Sequence, residues 1–234
     1  MPGPRRFYRA VAVAPRDGGF VVLLDGKPAQ TPAQGPFLSS TRRLADAIAA
    51  EWEAQEKTIE PATMPLWVLV SSALYDVLQA RDRVVDNVAG FARTDLLCYR
   101  ATHPLDLIAL QRERWQPLLD WAAHEFDAPL KVMDGVIFEG QPEPAMVALR
   151  KAVAAQDAHR LAALSHATRA LGSLVLALAL VRGRIGGEEA IALSLLDELY
   201  QIEKWGDAPE AHARRAEIRA EVLAAERFME LATS

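Results

Sequence analysis

The stretch ALGSLVLALALV, residues 170–181, constrains the fold more than any other. From Leu174 to Val181 every position is Leu, Val or Ala, so a helix here has no side it can turn to water. Interrupted by Gly172 and Ser173, the run is far short of the ~20 apolar residues of a membrane span. It reads as the buried centre of a helical bundle, which other helices must surround.

The chain supplies them. From Pro65 onward the spacing predicts helices over Pro65–Gln79, Asp82–Phe91, Leu105–Phe126, Pro144–Gln156, Asp157–Ser165, Thr168–Val181, Glu188–Lys204 and Pro209–Leu231. The third places Trp115, Leu118, Leu119 and Ala122 on one side. Between Leu130 and Gly140, the Asp134-Gly135 pair predicts a short hairpin. The first thirty residues have a different period: RFYRAVAVA and FVVLL read as strands, with RDGG and DGKPAQTP as turns. One helix follows, capped by Ser40 or Thr41 and carrying Leu44, Ile48 and Trp52 at i, i+4 and i+8. The Pro-punctuated IEPATMP then separates two units. The expectation is an α+β chain: a small β-rich N-terminal domain with one helix, residues 1–60, followed by a larger α-helical bundle domain, residues 61–234.

Charge and residue chemistry narrow the function. From Glu188 to the C-terminus 11 acids meet only 5 Lys and Arg, while the rest of the chain is close to neutral. That argues against a nucleic-acid partner, which needs clustered bases, and fits a basic or polar protein surface. The lone Cys98 allows no internal disulfide and no cysteine zinc site, and the N-terminus lacks the apolar core of a signal peptide. A cytoplasmic chain without membrane insertion is expected. RGRIGGEEA has three glycines before a helix but lacks the GK[ST] of a P-loop. Gly183 as a helix stop and Gly186-Gly187 as a turn explain it. His159 and His166 have no nearby acid or cysteine to complete a metal set, and Leu164-Ser165-His166 reads as a helix end. Cys98, inside the apolar TDLLCYR, reads as a buried inert thiol.

The sixteen residues DELYQIEKWGDAPEAH, 197–212, remain. Glu198 and Glu203 lie at i, i+5 and point to different sides of one helix, which is poor geometry for an acid–base pair. Gly206 reads as the end of that helix, with Asp207 capping the next and Glu210 at its third position. A tryptophan at a helix end beside acids is also an ordinary interface anchor. From the residues alone, three readings stay open: a helical protein-binding module, a structural corner, or a small-molecule enzyme using carboxylates of the Glu198–Glu210 region.

A resemblance bears on the choice. LeuAspGlyLysPro at 24–28, MetProLeu at 64–66, ThrAspLeuLeuCysTyrArg at 94–100 and TyrGlnIleGluLysTrpGly at 200–206 occur in one ordered run. Over residues 6–232 the chain resembles the ATP-twelve family, the mitochondrial and alphaproteobacterial assembly chaperones for the α subunit of F-type ATP synthase. The resemblance implies a non-enzymatic chaperone with no cofactor, metal or catalytic residue. It would be a monomer when free and would shield the α-subunit surface that later meets β. The partner-binding residues would be Glu198, Glu203, Trp205, Asp207 and Glu210. Many members carry a second acid just after Gly206; here the order is Asp207-Ala208-Pro209, and Glu210 supplies the charge.

Overall fold

The N-terminal sheet is present, with its first strand shorter than expected. In the computed structural model, which describes residues 4–31, 35, 37–135, 140–207 and 209–232, β1 (Val11–Arg16) and β2 (Gly19–Leu24) pair antiparallel from Val11↔Leu24 to Arg16↔Gly19. A short β3 (Lys27–Pro28) pairs on the other edge of β2. The ladder was expected to start at Arg6. It stops at Val11 because the Asp25 carboxylate takes the N–H groups of Arg9 and Ala10, at 3.0 and 2.8 Å. Residues 5 and 6 pair instead with the loop at 57–58.

Helix α1 (Arg42–Glu53) starts at Thr41, whose hydroxyl accepts the Leu44 N–H at 3.2 Å, and it buries Leu44, Ile48 and Trp52. Its Glu51 carboxylate accepts the N–H groups of Leu66 and Trp67, both at 2.8 Å, and so caps α2 (Pro65–Leu69). The two helices expected from Pro65 to Phe91 form one nearly continuous rod. A π turn at Val70–Leu74 leads into α3 (Tyr75–Gly90), which is kinked where Ala80 leaves the helical region. The break expected near residue 80 is therefore a bend.

Next come β4 (Tyr99–Arg100), α4 (Leu105–Phe126) and β5 (Met133–Asp134). The first arm of the expected hairpin pairs in parallel with β4, and residues 136–139, its second arm, lie outside the described residues. In α4, Trp115, Leu118, Leu119 and Ala122 are buried as expected, and the Trp115 indole donates to the Leu193 carbonyl at 2.9 Å.

After α5 (Glu143–Ala154), helix α6 (Ala158–Leu171) runs straight through the point where Ser165-His166 had suggested an end. The break comes six residues later. Gly172 takes a left-handed φ of +65°, and the Ser173 hydroxyl caps α7 (Leu174–Val181) by accepting the Leu176 N–H at 3.0 Å. Every residue of α7 is buried, with α4, α6, α8 and α10 packed around it. The helix expected over Glu188–Lys204 divides at Leu195 into α8 (Gly187–Ser194) and α9 (Leu196–Trp205). Finally α10 (Pro209–Ala232) returns to the N-terminal unit, where the Thr41 hydroxyl bonds the Leu231 carbonyl. One continuous set of buried side chains runs from Tyr8 to Phe228. The architecture is α+β, a small N-terminal sheet and a larger helical region.

Candidate functional site: the corner between α9 and α10

Two sides of α9 are fixed by polar bonds to its neighbours. Toward α4, Asp197 accepts the Gln111 amide at 2.7 Å, and Asp106 receives both the Tyr200 hydroxyl and the Lys204 ammonium, the latter at 3.2 Å. Toward α10, Glu198 accepts one N–H from Arg215 and one from Arg214, each at 2.7 Å. Arg215, only 15% exposed, then forks onto Asp207 at 2.6 and 2.8 Å, and His212 bonds Asp207 at 2.6 Å. Between the two helices Gly206 ends α9 as expected. Its φ of +87° is one that an L side chain rarely adopts, and its N–H bonds the Ile202 carbonyl at 2.9 Å.

The expected cap box is displaced. Since α10 begins at Pro209, the position before its first residue is 208, outside the described residues, and the Asp207 carboxylate is committed to Arg215 and His212. Of the five residues assigned to a partner, Glu198 and Asp207 thus face each other across the corner, joined by Arg215. Glu203, Trp205 and Glu210 are exposed. Glu203 makes no hydrogen bond or ion pair with another described residue. Trp205 is 74% exposed, its ring set edge-on against Tyr200 at 6.4 Å. Leu105, 81% exposed, precedes the Asp106 that binds Lys204 and Tyr200, and Leu199 on α9 is exposed as well. Sequence reasoning missed Leu105 and Arg215. Leu105 was readable, because it lies off the Trp115–Ala122 stripe of α4. Arg215 was not, because its pairing exists only once the corner folds.

Catalysis by these carboxylates has little support in the geometry. The Arg215 hydrogen bond, with Arg214 beside it, holds Glu198 below the usual carboxylate range. An acid kept ionised by two arginines has no proton to trade near neutrality. The glycine-rich RGRIGG is also accounted for. Gly187 N–H, at the start of α8, donates to the Glu226 carboxylate at 2.8 Å, so α10 itself fills the place an anion would take. A Cβ on Gly187 would meet the side-chain ends of Glu226, Oε2 at 2.5 Å, and of Leu223 at 2.8 Å, both of which would have to shift.

Burial pushes the Cys98 thiol up to about 12, leaving it unreactive. His159 stacks on Phe228. Among the described residues no group of three His, Cys, Asp or Glu could hold a metal, and no helix is long and apolar enough to cross a membrane.

His166 is 4% exposed, and burial, with Arg169 beside it, lowers its imidazole from 6.5 to about 4. It stays neutral in the fold while the unfolded chain takes up a proton. The stability tied to it is therefore complete above about pH 6.5 and lost as pH falls toward about 4, a loss of about 3 kcal/mol. Urea midpoints measured over that range are expected to fall less steeply in His166→Gln than in the parent. Parallel curves would assign the acid loss to other groups.

The sequence profile of the ATP12 chaperone protein family matches residues 5–123. The crystal structure of Atp12 from Paracoccus denitrificans is 42% identical, superposes with a TM-score of 0.88 and covers 98% of each chain. The chain belongs to the ATP12 family. A protein of Agrobacterium tumefaciens, proposed to be a chaperone, also superposes with a TM-score of 0.88, at 40% identity over 97% of this chain and 85% of that one. The mitochondrial atp12 protein of Schizosaccharomyces pombe is 26% identical over 226 residues, 91% of this chain and 77% of its own. The family profile stops well before the α9–α10 corner, but the likeness to the Paracoccus Atp12 structure spans it.

Proposed function

We propose that this chain is an assembly chaperone for the α subunit of an F-type ATP synthase, acting in the cytoplasm as a monomer when free and without catalysis. It would hold the unassembled subunit by the outer side of α9 and the corner that follows. The observation that carries the reading is a Trp205 exposed at the end of a helix whose other sides are bonded to α4 and α10, with Leu105 and Glu203 exposed as well. A rigid aromatic anchor with unpaired charge at its rim is what a protein interface needs. An orphan α subunit exposes apolar surface meant for β, which aggregates unless covered. Glu203, Trp205 and Glu210 make the contact in this reading, and Glu198 and Asp207 hold the platform through Arg215.

The test is capture of recombinant α subunit by tagged variants, beside their melting curves. Trp205→Ala should fold normally and lose about 2 kcal/mol or more of binding, as truncating a central anchor does. Glu203→Lys, exposed near a helix C-terminus that tolerates positive charge, should fold as well and weaken capture by ~2 kcal/mol through repulsion from a basic surface. Asp207→Ala should do the reverse, lowering the melting temperature by freeing Arg215 while capture persists. Should the first two variants fold and still take up α as the parent does, the docking surface lies elsewhere.

A further inference from the structure

Between α3 and α6 lies a cleft of about 450 Å³ whose walls carry more donors than the protein satisfies. Arg83 and Asn87 of α3 line one side, and Ser165, His166 and Arg169 of α6 line the other. Val84, Val88 and Phe91 supply apolar floor. Arg83 makes no hydrogen bond or ion pair with any other described residue. Arg169 spends one N–H on a neutral acceptor, His166 Nδ1, at 3.3 Å. Asp76 at the rim is the one carboxylate of the lining, and neither arginine is ion-paired to it. Elsewhere on α3 the chain does neutralise a guanidinium, as Arg150 on Asp86 at 2.7 Å demonstrates.

The imidazole adds a donor. It is neutral, and in the tautomer that lets Nδ1 accept from Arg169, Nε2 carries the proton. Guanidinium forks match the geometry of phosphate and carboxylate groups. We infer that this cleft binds a small organic anion, its phosphate or carboxylate group held between Arg83 and Arg169 and its ring or short apolar body lying over Val84, Val88 and Phe91. Asp76 favours a body that carries a hydroxyl or amine at the far end. The site is independent of the α9–α10 corner and of the α-subunit reading.

The probe is phenyl phosphate, followed by amide chemical shifts of the full chain, with phenol and inorganic phosphate as controls. Phenyl phosphate should give saturable shifts confined to residues 83–91 and 165–169, with a dissociation constant of about 1 mM or below. Inorganic phosphate, lacking the body, should bind about tenfold more weakly, and phenol, lacking the charge, should not saturate. Arg83→Gln and Arg169→Gln should each raise the dissociation constant at least about tenfold. If Arg169→Gln loses its dispersed spectrum, Arg83→Gln alone decides, since that side chain is exposed and bonds no other described residue. No saturation by ~10 mM, shifts spread over arginines outside the cleft, saturation by phenol, or unchanged binding in Arg83→Gln would each overturn the assignment.

Discussion

Asp95→Ala is expected to destabilise the fold by about 3–5 kcal/mol, the cost of leaving up to three buried neutral donors without an acceptor at about 1–3 kcal/mol each. Asp95 is fully buried, and its carboxylate joins segments about 80 residues apart. One oxygen accepts the Leu97 N–H at 3.1 Å and the Ser173 hydroxyl at 2.7 Å; the other accepts the Val175 N–H at 3.0 Å. It thus caps the 3₁₀ turn Leu96–Cys98 and, with Ser173, the first turn of α7. Burial pushes its pKa above the ordinary range while those donors pull the other way. With the net direction upward, the ionised form fits the fold less well than it fits the unfolded chain. The unfavourable part of its contribution is therefore present at neutral pH and relieved as pH falls through the raised value. The alanine variant leaves several buried donors without an acceptor, each costing about 1–3 kcal/mol. Asp95→Asn should fall between parent and alanine, because the amide keeps one acceptor oxygen but turns an NH2 toward a donor. Urea unfolding measures both. A loss below about 1 kcal/mol for Asp95→Ala would mean that water reaches the orphaned donors.

The contrast between Asp95 and α7 explains what could be read from the sequence. Leu174–Val181 announces its burial because a helix with no polar side has nowhere else to go. Asp95 sits in TDLLCYR, where one acid beside apolar residues gives no hint that its partners come from Ser173 and Val175. The same division runs through the candidate site. Gly206 ends α9 by a local rule and was readable. The cap expected of Asp207 was local too, but a tertiary competitor, Arg215 from the next helix, takes the carboxylate. The break at Leu195 follows the same logic, since apolar periodicity runs on across it and only packing decides where the axis turns, whereas the left-handed Gly172 and the Ser173 cap are local signals of the Gly206 kind. Fold class and the buried centre were legible because they depend on composition and period. Exposure of Trp205 depends on where α4 and α10 leave α9 uncovered, and no spacing encodes that.

Leu178→Ala is expected to cost about 2–5 kcal/mol, toward the upper part of that range. Two terms add. The lost side chain forfeits its transfer from water, and the space it leaves stays partly open because rigid neighbours do not close on it. Leu178 is fully buried at mid-helix, and α7 is packed by α4, α6, α8 and α10. Collapse from one direction would have to pull a helix away from another contact. The Trp115 indole, tied to Leu193 of α8, and the Asp95–Ser173 cap hold the surroundings further. Leu178→Met keeps the volume and should cost less than about 1.5 kcal/mol, separating the cavity from a disturbed backbone. Urea unfolding of both variants gives the two numbers, and similar m values would confirm that the native state stays compact. The outcome also bears on the docking site. If Leu178→Ala cost less than about 0.5 kcal/mol, as surface changes do, α7 would be an open apolar groove. A chaperone would then hold an aggregation-prone subunit there, and the exposed side of α9 would be its rim. A large loss closes that alternative and leaves the exposed apolar side chains, Trp205 at the corner among them, as the surface offered to a partner.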